Sequence, residues 1–143
     1  MSEQQAQETG LKVMVIDDQE TMRAIVRQLL REIGVDDVME ADNGKSALKS
    51  LRDPDMRGPY AKYPDVIICD IYMEPMDGIE FCNAMRRAKD MARLEIPVVI
   101  LTGEEDEFIH EIARQVGAVD VMVKPVSAQE LHGHIQKAIG YQF

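Results

Sequence analysis

Two periods of apolar residues alternate along the chain. Val66-Ile67-Ile68-Cys69 is an unbroken apolar run and Leu11 to Ile16 is interrupted only by Lys12; both are too short for helices and rich in β-branched residues, the pattern of a strand covered on both faces. Val98 to Leu101 repeats it, Val119 to Val123 does so around Asp120, and Asp37 to Ala41 is a short, weaker strand. Between these runs the apolar positions recur at helical spacing. Met22, Ile25, Val26, Leu29, Leu30 and Ile33 make one stripe, closed by Gly34. A second helix starts at Asn43-Gly44 and runs through Ala47, Leu48 and Leu51, and a third opens at Gly78 with Ile79, Cys82, Met85 and Ala88. A fourth spans about 106–116 on Ile109, Ile112, Ala113 and Val116, with Gly117 as its stop. The last, Ser127 to Ile139, has Ser127 and Glu130 at the spacing of a capping box.

Five strands alternating with five helices predict right-handed βαβ crossovers, so the expected fold class is α/β: a parallel sheet with helices on both faces. Residues 1–10 are polar and without period and read as a frayed leader; 11–140 form the domain, and 141–143 a short tail. Residues 53–64, with three prolines and a glycine, read as a long loop.

Composition narrows the function. A formal charge of −10, from 26 acidic and 16 basic residues with no Lys/Arg cluster, argues against direct nucleic-acid binding. No apolar run approaches a membrane span. Cys69 and Cys82 lack metal-ligand spacing and no secretory h-region precedes them, so a reduced, cytoplasmic protein is expected, with Cys69 an inert small hydrophobe. The three histidines share no helical face and read as solvated imidazoles, and the ten methionines as core filler.

The chemistry lies where strands end. All strands of a parallel sheet point one way, so residues just past them gather on one edge. Asp17-Asp18 follow the first strand, Asp70 the third, Thr102 the fourth and Lys124 the fifth. Taken singly these residues are ordinary: an acidic turn before a helix, a surface lysine, a threonine that could cap a helix with Glu105 three later. Together they are three acids that repel one another unless a cation joins them, and a hard ion such as Mg²⁺ suits carboxylate oxygens. Beside such an ion, with Lys124 and the Thr102 hydroxyl holding phosphoryl oxygens, Asp70 can act as a nucleophile toward phosphorus.

Asp17-Asp18, Asp70, Met76-Asp77-Gly78, Thr102 and Lys124-Pro125, with 22 positions from Thr102 to Lys124, resemble the receiver domain of two-component response regulators over residues 11–140. The resemblance implies a flavodoxin-like (βα)5 sandwich with strand order 2-1-3-4-5. It implies Asp70 as phosphoacceptor, with Mg²⁺ on Asp18, Asp70 and the backbone carbonyl of Tyr72 directly and on Asp17 through water. A histidine kinase or phosphotransfer protein would be the donor and another protein the downstream partner. Thr102 and the Gly103 amide would contact the phosphoryl group, Tyr72 and Glu104 would flank it and tune its hydrolysis, and Lys124-Pro125 would form a cis peptide. The chain would assist only its own phosphorylation and dephosphorylation and would not otherwise be an enzyme.

Three features depart from the family pattern. Pro75 lies five residues after Asp70, with Glu74 where proline is more usual; the 53–64 loop is long; and the aromatic switch residue expected three before Lys124 is Val121. Phe108 is a substitute to weigh, although its helical position favours core or rim packing. Val121 also sustains an alternative, a receiver-like adaptor that binds partners independently of phosphorylation. An external phosphatase of the haloacid-dehalogenase type lacks its second aspartate, since Tyr72 holds that place. Flavin binding is disfavoured by the acids of the first loop.

Overall fold

Successive residues of each central strand enter two different cores, and that is why their apolar residues do not alternate with polar ones. In the computed structural model, which describes residues 9–53, 63–92 and 94–143, five parallel strands form one sheet: β1 (Lys12–Ile16), β2 (Asp37–Ala41), β3 (Val66–Cys69), β4 (Val98–Thr102) and β5 (Asp120–Val123). Their order is β2-β1-β3-β4-β5, the flavodoxin-like order expected. Val13, Val15, Ile68, Val99 and Leu101 face the helices α1 (Glu20–Glu32) and α6 (Ala128–Ile139). Met14, Ile16, Ile67, Cys69 and Ile100 face α2 (Gly44–Leu51), α3 (Gly78–Arg87) and α5 (Glu107–Gln115). A one-residue slip of β3 would exchange Ile67 and Cys69 with Val66 and Ile68 between the two cores and draw Asp65 or Asp70 into the sheet, so packing and the acids that bound the strand specify its register.

Helix starts are set by side-chain caps. Ser127 accepts the Glu130 N–H at 3.0 Å while the Glu130 carboxylate accepts the Ser127 N–H at 3.1 Å, the box anticipated from spacing. Asp77 forms the same box with Glu80 at the start of α3, and Asn43 caps α2. Each cap contributes about 1 kcal/mol.

Two expectations are corrected. Where one helix was anticipated after Gly78, α3 ends at Arg87, Ala88 turns extended, and a four-residue helix α4 (Lys89–Ala92) follows, burying Met91; the described helices number six. Nor are the histidines solvated imidazoles. His110 is buried and its Nε2 lies 2.7 Å from the Glu104 carbonyl oxygen. His132 reaches the Phe143 main-chain oxygen at 2.8 Å and meets the Phe143 ring edge-on, and His134 pairs with Asp120 at 2.5 Å. Helical spacing cannot register partners that lie on other elements. The leader at 1–10 and the loop at 53–64 fall mostly outside the described residues.

One glycine fixes the floor of the edge where the strands end. A Cβ on Gly78 would collide with the Asp70 carbonyl oxygen, and the Gly78 N–H donates to Ile71 O at 2.7 Å. Gly133, inside α6, faces open space. Gly78→Ala is therefore expected to cost roughly 1–3 kcal/mol by overpacking, whereas Gly133→Ala should stabilise by about 0.5–1 kcal/mol through helix propensity. Urea unfolding midpoints that move in opposite directions for the two variants are the expected result.

Candidate functional site

The sheet brings the first and third strand ends side by side. Ile16 pairs with Cys69, so Asp17 and Asp70 follow on adjacent strands, and the Asp70 N–H donates to Ile16 O at 2.9 Å. Asp17, Asp18 and Asp70 each offer a carboxylate oxygen, all within 4.8 Å of one another. Asp17 is buried, Asp70 half-buried and Asp18 exposed. From the edge strand β5, Lys124 extends its Nζ to 3.4 Å from Asp17 Oδ2 and 3.6 Å from Asp70 Oδ2. Its backbone N–H is held by Thr102 O at 2.7 Å. The Lys124-Pro125 peptide is cis, as is Glu74-Pro75; the second was not anticipated.

Local hydrogen bonds aim the acids. Asp17 Oδ1 accepts the Gln19 N–H at 2.9 Å, the Arg23 guanidinium donates to the Asp17 carbonyl at 2.8 Å, and Asp70 Oδ1 accepts the Ile71 N–H at 2.8 Å. Burial pushes the Asp70 carboxyl above its ordinary range; Lys124 draws it down, Asp17 pushes it further up, and the net shift is upward. Burial likewise holds the Cys69 thiol far above its usual value, with Cys82 and Asp70 adding to the effect, so it remains a protonated core group.

The remaining residues read from the sequence take distinct places. Thr102 ends β4, fully buried, its Oγ1 accepting the Glu104 N–H at 3.1 Å. Gly103 is exposed with nothing within 4 Å of where a Cβ would stand. The Glu104 carboxylate accepts the Asp106 N–H at 3.2 Å, so it is turned onto its own loop, and Asp106, not Thr102, caps α5. Tyr72 is 57% exposed and shares an open cleft with Asp18, Glu74, Asp77 and Glu80. Val121 is buried opposite Ile100 on β4, whereas Phe108 is 69% exposed and outside the core. His110 was missed as a site neighbour; its only signal was a polar residue on the inner stripe of α5, one position from Ile109.

The donor set fits a hard divalent cation. Three carboxylates face one another and Lys124 offsets only part of their charge, leaving oxygen ligands with a net negative balance.

The family model for the response regulator receiver domain matches residues 13–136. The chain belongs to the response regulator receiver domain family. It is 31% identical over 87% of its length to the alkaline phosphatase synthesis transcriptional regulatory protein PhoP of Bacillus subtilis, and spans only 47% of that relative. With the chemotaxis protein CheY of Pseudomonas aeruginosa it shares 32% identity over 89% of this chain and 94% of that one. Its fold matches, with a TM-score of 0.76 at 23% identity, the receiver domain of a sensor histidine kinase from Pseudomonas aeruginosa PAO1, covering 92% of this chain and 99% of that one; that structure holds a magnesium ion in its active-site cleft. Receiver domains belong to two-component signalling, accept a phosphoryl group from histidine kinases and bind Mg²⁺ at an acidic pocket. In the receiver fold seen here, no helix among the described residues is long and apolar enough to cross a membrane.

The raised Asp70 carboxyl has a consequence for stability. A carboxylate whose folded pKa exceeds its unfolded value penalises the folded state when ionised, and the penalty fades as pH falls through the folded pKa. In metal-free buffer Asp70→Asn should therefore raise the thermal unfolding midpoint at neutral pH, by an amount that shrinks as the wild-type carboxyl takes up its proton. A lowered midpoint at neutral pH, or a gain that persists unchanged in acid, would contradict this.

Proposed function

We propose that Asp70 accepts a phosphoryl group from a phosphohistidine on a histidine kinase or phosphotransfer protein, and that the phosphorylated form changes its affinity for a downstream protein. The observation that carries this reading is the gathering of Asp17, Asp18 and Asp70 within 4.8 Å under the ammonium of Lys124. The Asp70 oxygen attacks phosphorus, the P–N bond to the donor imidazole breaks as the P–O bond forms, and the freed imidazole takes up a proton. Mg²⁺ held by Asp18, Asp70 and the Tyr72 carbonyl, with Asp17 through water, would supply charge on the phosphoryl oxygens. Lys124 neutralises a further oxygen, and Thr102 and the Gly103 amide are the groups to receive the others once the loop after β4 moves. Tyr72 and Glu104 flank the path of hydrolytic water. The chain assists its own phosphorylation and dephosphorylation and turns over no separate substrate, in a reduced cytoplasmic setting.

A second reading, an adaptor that binds partners whatever the state of Asp70, is favoured by one observation: Val121 is a buried aliphatic residue where the family carries its aromatic switch.

Incubation with acetyl phosphate and Mg²⁺ should add one phosphoryl group to the intact mass, and neither Asp70→Ala nor chelated wild type should acquire it. Lys124→Ala should slow the modification on the order of a hundredfold, as loss of one charge-stabilising donor does. Unchanged phosphorylation of Asp70→Ala would refute the assignment.

A further inference from the structure

The loop after β4 is anchored at a single residue from two sides. The Glu104 N–H donates to Thr102 Oγ1 at 3.1 Å, and the Glu104 carbonyl accepts from the His110 ring at 2.7 Å. A carbonyl only accepts, so Nε2 is the protonated nitrogen of that ring. His110 is 6% exposed on the inner face of α5, one turn into the helix, and its own backbone N–H is bonded to Asp106 O. It is thus a buried aromatic ring fixed to the segment that leads directly from Thr102. Val121, the family's switch position, offers no polar atom, and Phe108 points to solvent. Neither can register a movement of this loop through a hydrogen bond.

We infer that His110 is the positioning residue that couples the phosphoryl site to α5, in place of the missing aromatic at 121. The coupling rests on the phosphoacceptor role of Asp70. When the Thr102 hydroxyl turns to a phosphoryl oxygen it gives up the Glu104 N–H, and the Glu104 residue is released on that side. Its carbonyl then shifts relative to the imidazole. Because the ring is enclosed and a buried N–H without an acceptor is costly, His110 and the helix bearing it must follow. The state of Asp70 is thereby passed to the outer surface of α5, where Phe108 is exposed.

The test uses the full chain labelled with ¹⁵N, with Mg²⁺ and beryllofluoride as the phosphoryl mimic, and ¹⁹F signals reporting its uptake. In wild type the His110 ring nitrogens and the amides of Ile112, Ala113 and Val116 are expected to shift on uptake. His110→Phe keeps a ring but lacks the donor; it should take up beryllofluoride yet lose the α5 shifts, leaving those near Asp70. His110→Gln, which can return an N–H to the same place, should restore them. Wild-type His110 signals that stay fixed while beryllofluoride is bound, or α5 shifts of full size in His110→Phe, would overturn the coupling alone. A wild type that takes up no beryllofluoride at all overturns the phosphoacceptor reading, and the coupling falls with it.

Discussion

Everything in this molecule depends on holding like charges together at one edge of a sheet. Asp17, Asp18 and Asp70 repel one another, and nothing in their own chemistry would keep three carboxylate oxygens within 4.8 Å. What does so is the parallel register of β1 and β3, two strands buried on both faces, with Ile16 beside Cys69. Slipping that register would misfit side chains packed in two cores and pull a charged strand end into the sheet. Lys124, just past β5, offsets part of the charge, and the excess that remains suits a divalent cation.

The surroundings of the site serve the same constraint. Gly78 lets α3 start against the Asp70 backbone, where any side chain would collide, and the Asp77–Glu80 box fixes where that helix begins. Arg23 grips the Asp17 carbonyl and also pairs with Glu40 at 3.0 Å, tying α1 to β2 beside the first strand end. Thr102, fully buried, carries the site's geometry into the loop that leads to α5. Stability and the proposed phosphoacceptor role meet at Asp70: the burial that raises its carboxyl would also make it a more basic nucleophile, while Lys124 favours its ionised form.

Much of this was legible in the sequence because it follows from residues near one another in the chain. Val66 to Cys69 could only be a doubly covered strand, and an acid at its end could only emerge at the sheet edge. The gathering of Asp17, Asp70, Thr102 and Lys124 on one edge followed from the parallel sheet alone, and the strand order once the resemblance to receiver domains was added. What could not be read involves partners outside the element that carries each side chain. His134 meets Asp120 only after α6 packs on the sheet, His132 meets Phe143 only because the tail folds back along α6, and His110 finds the Glu104 carbonyl only because Asp106 caps α5 and folds the loop back. The short helix α4 was missed because four residues carry no measurable period, and Ala88 gives no sign of the extended conformation that splits it from α3.

The central claim is that the three carboxylates form a cation site. Calorimetric titration of the metal-free protein with MgCl₂ tests it most directly: wild type should bind a single Mg²⁺, and Asp18→Asn, which removes an exposed ligand without disturbing the core, should lose that binding while remaining folded. No binding by wild type, or equal affinity in Asp18→Asn, would contradict the account.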